Sequence, residues 1–400
     1  MKKLFALMLA LALMLGMLAG CAQKAPETTD ETVAPAEETT TQEQTPAQEQ
    51  PATEESSGND DLVKIGFICW GYTDAESKTY VRLLDYAGAA AGFEPVYATF
   101  TDTEDIINQA ESLIQAGCKG ILTTIASASL MDLCEKNEVY LAQWASEITD
   151  EQVASYVEKS DYWIGYSFTD NYETGRGMVE HLYDAGVRNL LLLGPTSGNA
   201  CHDLRFEGAL DKVKEYPDLN LVDTWRDAEW ETKMADTIAN YMAMYPEIDG
   251  VITTGASNGV GDAVVQAIAN EGLIGKLKYA TMDIVDNTRE YLAEGSMTAV
   301  CGETLSDVAW LSIVMANKVN GADWELPMKI VLKVGWMTSP EEFDDFSNYV
   351  QGEGVQPYSA EEYASVSIVK NPDATAQDML DLAYASSLEE IKAKANLTGG

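Results

Sequence analysis

The sequence predicts two similar α/β domains, each built on a doubly wound parallel sheet. Three observations point there. From Val63 onward, apolar runs of strand length alternate with stretches of helical periodicity, and strands separated by single helices form parallel sheets through right-handed crossovers. About 340 residues follow the first sixty, more than one hydrophobic core ordinarily holds. The stretch Lys119-Gly120-Ile121-Leu122-Thr123-Thr124-Ile125-Ala126-Ser127 is echoed by Asp249-Gly250-Val251-Ile252-Thr253-Thr254-Gly255-Ala256-Ser257, each after a long amphipathic helical pattern. Like neighbours on both sides of a repeated unit indicate two similar halves.

Val63 to Ile68 reads as a buried strand, Tyr80 to Ala91 as a helix ending at Gly92, and Phe93 to Ala98 as a second strand. Ile106, Ile107, Ala110, Leu113 and Ile114 share one helical face. Asp102 suits the N-cap of that helix, Glu104 and Asp105 its positive end, and Gly117 its termination. Gly120 to Thr124 follows as a strand. The second half continues with helix Gly175 to Tyr183, strand Leu190 to Leu193, helix Arg205 to Tyr216 and strand Leu219 to Thr224. Helix Thr232 to Met244, strand Gly250 to Thr254, helix Gly261 to Asn270 and strand Lys278 to Met282 complete it. Ligands bind beyond the carboxyl ends of such strands.

The N-terminus has a different character. Lys2 and Lys3 precede an apolar run from Leu4 to Leu18, then Ala19, Gly20 and Cys21. This is the pattern of a secretion signal, and the run is shorter than the roughly 18 residues a spanning helix needs. From Ala22 to about Asp60 the chain is Thr, Glu, Gln, Pro and Ala, with Val33 its only β-branched apolar residue. It buries too little apolar surface to offset its ordering entropy, and reads as a disordered acidic tether over 21–60 after a signal peptide over 1–20.

With 25 Lys+Arg against 65 Asp+Glu and a formal net charge of −40, nucleic acid is excluded as a natural partner. Of six cysteines, Cys69, Cys118, Cys134, Cys201 and Cys301 remain once Cys21 is set apart. Being odd in number and mostly inside apolar segments, they read as buried thiols and not as a disulfide framework. Two histidines and no Cys-x-x-Cys give no basis for a metal site or a cofactor.

Leu18-Ala19-Gly20-Cys21 resembles the lipobox of bacterial lipoproteins. The resemblance implies cleavage before Cys21, acylation of its sulfur, and an extracytoplasmic protein anchored to the cell membrane. From about Lys64 to Val334 the chain resembles the type I periplasmic binding proteins, particularly the ribose-type sugar-binding components of ABC importers. The strongest elements are Ile164-Gly165-Tyr166-Ser167-Phe168-Thr169-Asp170-Asn171-Tyr172-Glu173-Thr174-Gly175-Arg176 and Tyr245-Pro246-Glu247-Ile248-Asp249-Gly250-Val251. This implies three interdomain crossings, near Asp170, Glu303 and Leu326, forming a three-stranded hinge beside a ligand cleft. The first domain would hold 62–169 and 303–325, the second 170–302 and 326–400, with an extension from Thr338 beyond the family's usual end.

The resemblance also implies ligand contacts. Trp70 and Tyr72 lie in the turn after the first strand, where the family places aromatic and amide groups, and Trp144 and Ser146 follow the fourth. Arg205, in Asp203-Leu204-Arg205-Phe206-Glu207-Gly208-Ala209, matches the family's ligand-binding arginine, and Trp230 an aromatic that stacks on ligand. Asp283 matches the strand-end aspartate, and Glu303 lies near the family's glutamine. Where the family has an Asn-Asp pair, this chain has Gly255-Ala256-Ser257-Asn258-Gly259, with Asn258 the remaining amide, a departure that counts against a simple pentose or hexose.

Rings bind apolar faces of sugars and heterocycles, and charged forks fix hydroxyls and carbonyls. Core packing is the competing account of Trp70 and Trp144, a structural ion pair that of Arg205 and Asp283, and plain surface exposure that of Glu303. His202 beside Asp203, and Ser197, raise a hydrolase, but no Gly-x-Ser-x-Gly elbow or triad is laid out. The implied function is therefore capture of a small polar ligand, a sugar or polyol, by a monomer that delivers it to an ABC permease. The alternatives are a sensory protein presenting its ligand to a receptor kinase, and a nucleoside or other heterocycle as ligand.

Overall fold

The computed structural model describes residues 62–398, apart from 74, 103 and 149. Cys21, the signal sequence and the tether therefore lie outside the described residues. The first lobe begins β1 (Val63–Cys69), α1 (Ala75–Ala91), β2 (Phe93–Thr99), α2 (Asp105–Gln115), β3 (Gly120–Thr123) and α3 (Ala128–Lys136). It continues with β4 (Tyr140–Trp144), α4 (Glu151–Val157) and β5 (Trp163–Thr169). The second lobe carries α5 (Asn171–Asp184), β6 (Asn189–Pro195), α6 (Ala200–Val213), β7 (Asn220–Asp227), α7 (Trp230–Met244) and β8 (Gly250–Thr253). It closes with α8 (Val260–Asn270), β9 (Lys278–Met282), α9 (Thr288–Glu294) and β10 (Ala299–Gly302). Then come α10 (Asp307–Val319), β11 (Met328–Leu332) and β12 (Gly335–Met337). The chain ends with α11 (Pro340–Phe346), a π-helical turn (Ser347–Gln351), α12 (Ala360–Ser365), α13 (Ala376–Tyr384) and α14 (Leu388–Thr398).

The two sheets run β11-β5-β4-β3-β1-β2 and β12-β10-β9-β8-β6-β7. All described pairings are parallel except β10 with β12. Each order reverses once, between β1 and β3 and between β6 and β8, and such reversals open a crevice at the strands' carboxyl ends. Alternation decides which face each side chain joins. In β1, Phe67 enters the core under α1 and α10, while Ile68 enters the opposite core under α2 and α3. The second sheet is covered likewise, by α7 and α8 on one face and by α5 and α6 on the other.

The periodicity that predicts α2 is realised in the burial of Ile106, Ala110 and Leu113. The carboxylate of Asp102 accepts from the Asp105 N–H (3.0 Å), and Gly117 adopts φ +91° beyond the end. Several helices begin earlier than the apolar stripe alone indicates, because their first turns are polar. α1 starts at Ala75, α6 at Ala200 and α7 at Trp230.

Two sequence expectations about the domains need correction. The third crossing is not near Leu326. Met328, Ile330 and Leu332 alternate inward into the first lobe's core, and β11 pairs with β5 from Met328↔Gly165 to Leu332↔Thr169. The chain passes to the second sheet only at Lys333-Val334. Nor does 326–400 belong to the second domain as a whole. Phe346, Val350, Leu388 and Ile391 join the second lobe's core, but Tyr358, Tyr363, Val366, Met379 and Ala383 join the first. Over the described residues the chain thus passes between lobes five times, the last two passages lying between Gln351 and Tyr358 and between Ala383 and Leu388.

Candidate functional site

Two adjoining cavities of about 350 and about 450 Å3 share Glu76, Ser257 and Asp283 and so form one cleft between the lobes. Volumes of this size suit a small polar molecule. The first lobe contributes Glu76 and Thr79 from α1. The second contributes Cys201, His202 and Arg205 from α6, Trp230 and Glu231 from the start of α7, Ser257 and Asn258 after β8, and Asp283 after β9. Glu303 enters at the second passage between lobes.

Arg205 is the best-fixed group. Its Nε donates to Asn171 Oδ1 at 2.7 Å and its Nη1 to the Thr254 carbonyl at 2.9 Å, and only 6 % of the residue is exposed. Helices α5 and α6 meet backbone to backbone to achieve this. A Cβ on Gly175 would sit 1.9 Å from the Arg205 carbonyl oxygen, and one on Gly208 would sit 2.0 Å from the Tyr172 carbonyl oxygen. Only glycine permits that approach.

His202 lies one turn before Arg205. Its Nδ1 is 2.8 Å from Thr254 Oγ1, and its ring meets Trp230 edge-on at 5.3 Å between centroids. Burial, reinforced by the positive charge of Arg205, pushes its pKa down to about 4, so it is neutral at pH 7. Asp283 Oδ2 accepts from Ser257 Oγ (3.0 Å) and from the Ala256 N–H (3.3 Å). Asn258 Nδ2 donates to Glu231 Oε1 at 2.8 Å. Gly255, part of the departure from the family's Asn-Asp pair, sits where a Cβ would lie 3.0 Å from both Asp283 Oδ2 and His202 Cε1. The missing side chain leaves room among Asp283, His202 and Arg205, whose Nη1 would be 3.8 Å from such a Cβ.

Backbone strain gathers here. Ala145, Asn258, Asp283 and Leu305 have φ of +68°, +56°, +75° and +56°. All four follow strands at the ends that face the cleft, where strain marks functional geometry. Beneath the first lobe's rim, Asp307 Oδ2 accepts from the Ala145 N–H at 3.2 Å. Burial, with the neighbouring Glu303 charge, raises the Asp307 pKa to about 7. Burial also raises that of Glu303, against the pull of Arg205.

Of the residues singled out in the sequence, Arg205, Trp230, Asn258, Asp283 and Glu303 line this cleft. Trp70, 43 % exposed, follows β1 and lies over Trp144 at 5.6 Å between centroids. Three others are employed in the scaffold. Trp144 is wholly buried against Phe67 and Tyr80. The Tyr72 hydroxyl donates to the carbonyls of Ala98 (2.7 Å) and Phe67 (3.0 Å). The Ser146 carbonyl receives Gln143 Nε2 at 2.9 Å. Ser197, weighed as a nucleophile, receives Arg226 Nη1 at 2.9 Å.

Sequence reasoning passed over Glu76, Thr79, Cys201 and Glu231 as ligand contacts, and weighed His202 only as a hydrolase candidate. The helical i, i+3, i+4 spacing back from Arg205 would have found Cys201 and His202.

A periplasmic binding protein domain matches residues 65–323. The chain belongs to this family. Among periplasmic binding proteins, the D-allose-binding periplasmic protein of Escherichia coli (strain K12) is 26 % identical over 144 residues. That match covers 35 % of this chain and 45 % of the relative, so the chain spans less than half the length of the curated relative it matches. Solved binding proteins share the two-lobed fold. An ABC transporter periplasmic solute binding protein from Actinobacillus succinogenes 130z with bound D-allose has TM-score 0.59 and 18 % identity over 70 % of this chain and 99 % of its own. A carbohydrate transporter solute binding protein from Agrobacterium radiobacter in complex with D-arabinose has TM-score 0.59 and 18 % identity, covering 73 % and 99 %.

Proposed function

We propose that this chain is the solute-binding lipoprotein of an ABC importer, capturing a sugar or polyol by closure of its lobes and presenting it to a membrane permease. The observation that carries the reading is the interlobe cleft, in which a pinned arginine, a strand-end aspartate and a tryptophan converge from three elements of the second lobe. Arg205 and Asp283 form a donor and acceptor fork for vicinal hydroxyls, and Trp230 offers an apolar ring for a sugar face. Neutral His202 adds a hydrogen-bonding group without charge. Closure brings Glu76, Thr79 and the Trp70 end of the first lobe onto the captured molecule, and the passages between lobes absorb the change. The D-allose and D-arabinose complexes of similar folds support a monosaccharide-sized ligand.

Lys2 to Cys21 supports export followed by acylation of Cys21. Each buried methylene of an acyl chain contributes about 0.8 kcal/mol, so a multiply acylated cysteine holds the protein at the membrane. The segment 22–60 then serves as the tether on which the two-lobed body reaches a permease.

The test is thermal shift and calorimetry on residues 61–400 across sugars, polyols, nucleosides and amino acids. A sugar at 100 times its dissociation constant adds about 2.7 kcal/mol of stability. Saturable binding of nucleosides alone would replace the sugar reading with a heterocycle. Folded protein that binds no member of the panel would overturn it.

A further inference from the structure

The family match ends at residue 323, yet two cleft-lining residues, Phe343 and Gln351, come from the chain beyond it. They are firmly placed. The ring of Phe346 lies directly on the ends of β10 and β12. A Cβ on Gly302 would be 2.7 Å from Phe346 Cζ, and one on Gly335 would be 2.6 Å from Phe346 Cε2. Arg289 grips Asp344 through two parallel hydrogen bonds of 2.7 and 2.9 Å, tying α11 to α9. Lys392 of α14 bonds Asp345 from the other side.

With α11 so fixed, Phe343 faces the same cavity as Ile284, Val285 and Asp286. The π-helical turn then carries the chain to Gln351, whose Nε2 donates to the Glu303 carbonyl at 2.8 Å. Single π-turns recur at functional sites because they re-aim a side chain out of helical register. The donation fixes the amide plane and leaves Oε1, which makes no hydrogen bond to a described residue, as an acceptor on the cavity wall.

We infer that the C-terminal segment is a working wall of the binding site: Gln351 Oε1 accepts a hydrogen bond from the ligand, Phe343 packs on its apolar face, and together they select which ligand fits. The inference rests on the cleft being the ligand site proposed above. It assigns selectivity to residues beyond the stretch that the family domain matches, so the preferred ligand is set partly by 340–351 and not by the two sheets alone.

The experiment is calorimetry on residues 61–400, wild type, Gln351→Ala and Phe343→Leu, with D-allose, D-arabinose, D-galactose, uridine and L-glutamine as probes. Thermal unfolding of each variant is run in parallel. For the probe that wild type binds best, Gln351→Ala weakens binding about tenfold, Phe343→Leu changes the rank order of probes, and unfolding temperatures stay within about 2 °C. Unchanged affinity and rank order in both variants, with wild type binding a sugar, would overturn the inference and leave the sugar reading standing. If wild type binds uridine or L-glutamine but no sugar, the sugar reading falls, and the same two variants decide the inference on that probe. A folded wild type that binds none of the five and releases no small molecule on denaturation refutes both.

Discussion

Gly208→Ala is the sharpest test of how the cleft is held in shape. The new methyl would lie 2.0 Å from the Tyr172 carbonyl oxygen and 2.9 Å from its carbon. Both are backbone atoms, so no side chain can swing aside. Restoring ordinary contact requires α6 to retreat from α5 by about 1.4 Å. Arg205 rides on α6 three residues earlier, and its 2.7 Å bond to Asn171 on α5 does not survive such a move. Overpacking of this kind costs about 1–3 kcal/mol, and the buried charged hydrogen bond another 1.5–3 or so. Against this, alanine gains about 1 kcal/mol over glycine inside a helix. Sterics therefore win by about 1.5–5 kcal/mol, and at about 2–4 °C per kcal/mol the unfolding temperature falls by about 3–20 °C. Calorimetric unfolding of residues 61–400 measures it, with Gly71→Ala, whose Cβ meets nothing within 4 Å, as the neutral control. A Gly208→Ala protein that melts within a degree of wild type would refute the claim that helix contact pins Arg205.

Other expectations follow from the same geometry. Cys201 is the one half-buried cysteine among the five described, and its Sγ reaches the Ala145 carbonyl of the other lobe at 3.9 Å. Burial pushes its thiol pKa up, so a thiol reagent should modify it slowly yet ahead of the other four in residues 61–400, and a bound ligand should slow it further; several thiols reacting equally fast would contradict the packing. Asp307 ionises near pH 7 when folded but near 3.8 when unfolded, so the stability it contributes at low pH is lost as pH rises from about 4 through 7. Asp307→Asn should therefore melt higher than wild type at pH 8 and converge with it near pH 4; equal melting at both would remove Asp307 as the cause. His202 has the opposite sign. Its folded pKa of about 4 against 6.5 unfolded makes it destabilising as pH falls through that window, and His202→Asn should remove this loss in melting curves from pH 7 to 4. In the full chain, Cys21→Ala should move the protein from the membrane to the soluble fraction, and unchanged fractionation would disprove the lipid anchor.

The alternating strands and helices were legible because periodicity is local. β1 and α2 each carry their evidence within a dozen residues, and the echo of 119–127 in 249–257 is a match of two such short stretches. Arg205, Trp230, Asn258, Asp283 and Glu303 were legible through the resemblance to the periplasmic binding proteins, and they line the cleft because strand ends and helix starts gather at one edge of a parallel sheet. Trp144 shows the limit. Strand position says that a ring stands at the edge, but whether it faces ligand or core depends on Phe67 and Tyr80, which arrive from elsewhere in the chain. β11 was misplaced for the same reason, since an inward alternation of Met328, Ile330 and Leu332 fits the rim of either sheet. Gln351 gave no sign at all, because a π-turn has no periodicity of its own.

The first lobe's core contains both Ile65 and Ala383. A ribosome, or a secretion channel, delivers these residues at widely separated moments. Tyr358, Tyr363, Val366 and Met379 are still missing when every strand of the second lobe has already emerged, and the second lobe in turn waits for Leu388 and Ile391, so neither core is complete until both late segments have arrived. Contacts between residues so distant in sequence slow folding. For a chain that must cross a membrane before it folds, that delay is an advantage, because the first sheet stays incompletely covered until Tyr358 to Ala383 have followed it through.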